Sequence, residues 1–161
     1  MKKILVEPGD IFLIPLFLHH ESCIKSFSRF NFDKEGMIFC VGRVIVDAMG
    51  AGTIIEVFNR QVTNISSVDI SNDERLFEPV VVAGEGFKKK RWRVIGHTSS
   101  YDSVTYSGYN DIKFIIGPRD NPRIWTPNGE SYPEDDIDNI ERMTVWTSDQ
   151  IESRIVDLLQ I

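Results

Sequence analysis

Apolar and polar positions fall into short blocks along most of the chain, and the densest block frames the rest. Met37 to Phe58 reads Met-Ile-Phe-Cys-Val-Gly-Arg-Val-Ile-Val, then Asp-Ala-Met-Gly-Ala-Gly, then Thr-Ile-Ile-Glu-Val-Phe. Two runs rich in β-branched and aromatic residues flank a glycine-containing loop, which predicts a β-hairpin. In the first run Ile38, Cys40, Gly42, Val44 and Val46 share one face, and Phe39, Val41, Arg43, Ile45 and Asp47 share the other. An apolar load on both faces predicts a strand covered on both sides, at the centre of a curled sheet or small barrel. Arg43 breaks the pattern. A buried guanidinium needs a carboxylate, and Glu56 on the facing run supplies one; the alternative is an Arg exposed in a binding groove.

The other blocks extend the same picture. Pro8-Gly9-Asp10 reads as a turn, and Ile11 to Leu16 as a strand that stops or bends at Pro15. Phe27 to Phe32 reads as a strand joined through the turn Asp33-Lys34-Glu35-Gly36 to Met37–Val46, giving a first hairpin. Pro79 to Ala83 is a short strand, Gly84-Glu85-Gly86 its turn, and Phe87 to His97 the returning strand. Ile112 to Ile116 and Met143 to Trp146 complete the strands, while Ser99–Asn110 reads as a loop and Arg119–Tyr132 as a loop or broken edge. At the end Thr147 with Gln150 fits a capping box. Ile151, Ile155, Leu158 and Leu159 then share one helical face, with Glu152, Ser153, Asp157 and Gln160 facing out. The prediction is an α+β domain, mostly β, spanning residues 1–161: one strongly curved antiparallel sheet, SH3-like or a partial barrel, packed against a C-terminal helix.

Composition fits that size of core. The 161 residues are 42% hydrophobic and 26% charged, ordinary for a globular chain. The net charge of −6 is unevenly placed. Glu130, Glu134, Asp135, Asp136, Asp138 and Glu141 lie in one stretch without Lys or Arg and account for the whole excess of acid over base. Such a field repels phosphate and steers a basic partner. The apolar run after Lys2-Lys3 is far too short for a signal peptide and no long uncharged apolar run follows, so a cytosolic protein with no membrane partner is expected.

Catalytic signatures are missing from the sequence. His19 and His20 are adjacent, and neighbours on a strand would point to opposite faces, while His97 is remote; no zinc-protease or zinc-finger spacing occurs, so no metal or other cofactor is expected. Cys23 and Cys40 form no C-x-x-C pair, and Cys40 reads as a small buried hydrophobe. Gly50-Ala51-Gly52 lacks the Lys of a phosphate loop, and no G-x-S-x-G is present, so the chain reads as a non-enzyme. The run Lys88, Lys89, Lys90, Arg91, Trp92, Arg93 is the one nucleic-acid-like feature, cations beside an aromatic. It also fits a strand end whose lysines blunt edge pairing, with Trp92 facing the core. Trp125 and Tyr132, beside the acidic stretch in proline-punctuated backbone, have the composition of interface anchors next to steering charge.

Three motifs, in this order, resemble the immunity protein 26 family of bacterial polymorphic toxin systems. They are Gly9-Asp10-Ile11-Phe12-Leu13-Ile14-Pro15-Leu16, Val41-Gly42-Arg43-Val44, and Trp92-Arg93-Val94-Ile95-Gly96-His97. Phe17 to Glu35 stands as a long insertion between the first two. The resemblance implies a small cytosolic protein that binds and inhibits the C-terminal domain of a cognate toxin, often a nuclease. Trp125, Tyr132, Glu134, Asp135, Asp136 and Asp138 are the residues expected to touch that toxin. The alternative is a single-domain nucleic-acid-binding module using the Lys88–Arg93 run.

Overall fold

A computed structural model describes residues 6–18, 26–47, 52–63, 68–71 and 73–161. His19, His20, Cys23, Gly50 and Ala51 lie outside the described residues. The described strands are β1 (Asp10–Pro15), β2 (Phe39–Asp47), β3 (Thr53–Val62), β4 (Val80–Val82), β5 (Arg93–His97), β6 (Phe114–Ile116), β7 (Arg123–Thr126), β8 (Gly129–Ser131) and β9 (Val145–Trp146). The helices are α1 (Glu85–Lys88), α2 (Ser103–Ser107) and α3 (Ser148–Leu159), with a 3-10 turn at Tyr109–Asp111. With 34% strand and 17% helix the class is α+β, as the sequence predicts.

Six strands form one sheet in the order β5-β1-β2-β3-β4-β9, and β6-β7-β8 form a second. The larger sheet is antiparallel except for the β4–β9 pair, which is parallel, and it does not close into a barrel. The predicted β2–β3 hairpin is present, with Arg43 opposite Glu56. β2 is covered on both faces. Cys40 and Val44 join Phe12, Ile55, Val57, Trp92, Ile151 and Ile155 in one apolar cluster, so α3 closes that side. Phe39 and Val41 join Leu13, Phe27, Phe32 and Phe58 in another.

Gly42 shows why glycine sits mid-strand. It pairs with Phe12 across the β1–β2 ladder, and a Cβ there would lie 2.5 Å from the Phe12 ring. The ring fills that space and stacks on Trp92 with centroids 5.5 Å apart.

Several expected elements come out differently. Phe27–Phe32 is not a strand. β2 already has β1 on one side and β3 on the other, so no edge is free for it. Its carbonyls go elsewhere: Arg93 donates from Nη2 to the Phe27 and Phe30 carbonyls at 2.6 and 3.1 Å. Its rings cover the second face of the sheet instead. The returning strand starts at Arg93 rather than Phe87, because residues 85–88 wind into α1 and the Arg91 and Trp92 amides both bond the Gly86 carbonyl. Trp92 is nonetheless buried, as expected, while Val94, on the same strand face by count, is 43% exposed. Ser99–Asn110 holds α2 and the 3-10 turn, and Arg119–Tyr132 holds the β7–β8 hairpin.

The C-terminal helix begins where its cap predicts. The Thr147 amide donates to Gln150 Oε1 at 3.0 Å, and Glu85 of α1 accepts from the Ser148 amide and hydroxyl at 2.5 and 2.9 Å. A carboxylate there also complements the positive end of the helix. Ile151 and Ile155 are buried. Glu152, expected to face solvent, is buried at 4% exposure, because Arg91 and Trp92 lie beneath the helix and bond its carboxylate.

Candidate functional site

The buried polar groups decide which charges remain available. Arg43 Nε donates to Glu56 Oε2 at 3.0 Å, and Arg75 Nε donates to Glu56 Oε1 at 3.0 Å. Ser107 of α2 donates its hydroxyl to the same carboxylate, and Tyr101 shares a 2.5 Å hydrogen bond with the Ser107 hydroxyl. Burial raises the Tyr101 pKa. The Arg43 guanidinium also lies over the Tyr101 ring at 5.1 Å. This network ties α2 to the β2–β3 hairpin. It realises the salt-bridge alternative for Arg43 and leaves no groove at that residue, which is 6% exposed.

A second buried pair joins Arg91 to Glu152 through two bonds at 2.7 and 2.8 Å, with Trp92 Nε1 donating to the same carboxylate at 3.0 Å. Burial raises the Glu152 pKa, against the opposing pull of Arg91. The consequence for the basic run is direct: Arg91 and Trp92 are interior groups, so the aromatic is not displayed for base stacking.

His97 forms a local hydrogen bond, donating from Nδ1 to Asp10 Oδ1 at 2.9 Å across the β1–β5 pair. Among the described residues Glu7, Asp10 and His97 are the one group whose ligand atoms lie within 4.8 Å of each other. Glu7 and His97 are solvent-exposed.

The acidic stretch is built differently. β8 anchors its start, and its end is tied to β6 by the Ile115 amide bonding the Glu141 carbonyl at 2.9 Å and the Met143 amide bonding the Ile115 carbonyl at 2.9 Å. Between these ties the chain passes over the second sheet and encloses a groove of about 340 Å³. Ile124, Ile137 and Ile140 give it apolar lining, and exposed Tyr132, Glu134, Asp135 and Asp136 give it an acidic side. Glu130 and Glu141 are engaged by Arg123 and Arg154. Among the described residues Glu134, Asp135, Asp136 and Asp138 have no ion-pair partner, so their charge stays on the surface. Lys113 is the one cation lining the groove.

Of the six residues singled out from sequence, Tyr132, Glu134, Asp135 and Asp136 line this groove, and Asp138 is exposed on the same segment but outside the lining. Trp125 is the departure. It follows Ile124 on β7 and so faces the other way, half-buried against Phe114 with ring centroids 5.7 Å apart. Sequence reasoning missed Lys113, Ile137 and Ile140, and only the strand predicted at Ile112–Ile116 bears on the first.

A family model described as immunity protein 26 matches residues 7–121. The chain belongs to the immunity protein 26 family. It is therefore an immunity protein, a class whose partner is a cognate toxin. No curated protein and no solved structure matches the chain. Four of the residues that carry the immunity protein 26 pattern have structural work inside this fold. Gly9 has φ +94° and lies under Tyr101, Gly42 makes room for Phe12, Arg43 binds Glu56, and Trp92 binds Glu152. The acidic groove, by contrast, is formed mainly by residues after 121, beyond the matched span.

Proposed function

We propose that this immunity protein neutralises a nuclease toxin by binding its C-terminal domain, without catalysing a reaction, in the cytosol of the producing cell. The acidic groove is the contact surface. One observation carries this reading: four neighbouring carboxylates, Glu134, Asp135, Asp136 and Asp138, lack ion-pair partners among the described residues, and the first three line one side of a groove that also holds exposed Tyr132 and three isoleucines. Uncompensated charge beside an aromatic suits a basic protein surface, with steering from the charge and affinity from a few desolvated anchors. Nuclease surfaces that bind phosphate are basic for the same reason. Glu134, Asp135, Asp136 and Tyr132 are assigned direct contact and Asp138 a steering role. Trp125 acts behind them, holding β7 through Phe114.

The test is protection. The cognate toxin domain is incubated with labelled RNA and DNA, with and without one equivalent of the purified protein. Loss of cleavage at stoichiometric ratio supports the proposal. Undiminished cleavage with the complex formed overturns active-site occlusion, and a toxin that cleaves neither nucleic acid overturns the nuclease assignment.

A further inference from the structure

Among the described residues strand β5 ends the larger sheet, pairing with β1 alone. Among the described residues its outward amides and carbonyls have no backbone partner. An open edge of this kind accepts another strand unless it is covered or blunted. Beside it lies a pocket of about 270 Å³, lined by Leu13, Phe32, Phe39, Val94 and Ile95 with the Arg91 and Arg93 side chains. That is just below the roughly 300–1,000 Å³ of small-molecule sites, so it suits one large side chain rather than a cofactor.

Arg93 sets the chemistry of the occupant. Its Nε donates to the Lys90 carbonyl at 3.3 Å, its Nη2 to the Phe27 and Phe30 carbonyls, and its guanidinium lies 4.1 Å from the Phe32 ring centroid. All these acceptors are neutral. No carboxylate pairs with Arg93, and its Nη1 has no partner among the described residues. Burial lowers its pKa, the signature of a cation held without a counter-charge. Exposed Lys88 and Lys90 add to the positive field. A guanidinium fixed in place with free N–H groups presents a fork to a carboxylate.

We propose that β5 is a docking edge for an extended polypeptide segment that carries a large apolar residue and a carboxylate two positions apart. The segment adds as a strand to β5. Its apolar side chain enters the pocket, and its carboxylate, on the same face by the two-residue period of a strand, pairs with Arg93. This surface is opposite in sign to the acidic groove, and the assignment stands independently of the toxin reading.

The test is a random nonapeptide display library selected against the whole purified protein, followed by affinity measurements on synthetic peptides. Enriched sequences should share Glu or Asp two residues from Leu, Ile, Phe or Tyr. Arg93→Gln and the peptide's acid-to-amide change should each weaken binding at least tenfold, and together little more than either alone, since they break the same pair. Amide shifts of the unmodified protein, which need no variant to fold, should concentrate at Arg93–His97. Enrichment without an acidic position, affinity indifferent to Arg93→Gln in a folded variant, or shifts confined to Tyr132–Asp138 would each overturn the proposal. So would an absence of enriched peptides, including the case in which the protein instead self-associates through this edge.

Discussion

Arg43 and Glu56 sit opposite each other in the β2–β3 register, Nε to Oε2 at 3.0 Å, and both are almost fully buried. Glu56 also receives Arg75 and the Ser107 hydroxyl. One carboxylate thus holds two guanidiniums and the end of α2. Glu56→Gln leaves buried Arg43 and part-buried Arg75 without a full counter-charge. It should cost about 3–5 kcal/mol of folding stability, read from the urea unfolding midpoint. A loss below about 1 kcal/mol, the scale of an exposed pair, would show that water reaches the site.

Gly42 and Phe12 give a packing prediction. A methyl at position 42 meets the Phe12 ring at 2.5 Å, and the ring is held by Trp92 and Phe87. Gly42→Ala should destabilise by about 1–3 kcal/mol. Shortening the ring in Gly42→Ala/Phe12→Leu should recover part of that loss, and calorimetric Tm values would decide it. Equal Tm for the single variant and the parent would mean that the ring relocates freely.

Cys40 gives a pH prediction. Its thiol donates to the Phe58 carbonyl at 3.1 Å, and burial pushes its pKa up from 9.0 to about 11. A folded pKa above the unfolded one means stability that is fully present below pH 9 and is lost as pH rises through about 11. In a Cys23→Ser background, Cys40 should therefore resist iodoacetamide at pH 8 until the protein unfolds. The extra stability lost between pH 9 and 11, relative to Cys40→Ala, should approach about 2–3 kcal/mol. Rapid labelling of the folded protein at pH 8 would contradict the burial.

Much of the fold was legible because its signals are local. Alternation and turn residues marked β1, β2, β3 and β4, and Thr147 with Gln150 marked the start of α3. Arg43 named its own partner, since an isolated charge in an apolar run demands one. The misreadings have the opposite cause. Glu152 looked like a solvent-facing position because helical periodicity counts any carboxylate as polar, whereas Arg91, distant in sequence, waits beneath it. Phe27–Phe32 has strand-like residues, but whether a strand edge is free is a property of the whole sheet. The acidic groove was legible as charge and not as shape. Trp125 and Tyr132 look alike in sequence, and only the β7 register turns Trp125 inward while Tyr132 stays 68% exposed.

Lys113 gives a sign test for the groove. Among the described residues it is the one cation lining the groove proposed to meet a basic partner. Lys113→Glu should raise the association rate with the toxin domain several-fold at low salt, with the gain shrinking as salt rises. A slower association would mean that Lys113 meets an acidic group, and that the groove is not read through its net charge.

Toxin capture by the acidic groove is measured by isothermal titration of the purified protein against its cognate toxin domain, at two salt concentrations, with Asp135→Lys/Asp136→Lys in parallel. Binding by the parent should be stoichiometric and weaken with salt, and the charge-reversed variant should bind more weakly with a flatter salt dependence. Tight binding by both, unmoved by salt, would place the interface elsewhere on the molecule, and no binding at micromolar concentration would contradict the pairing itself.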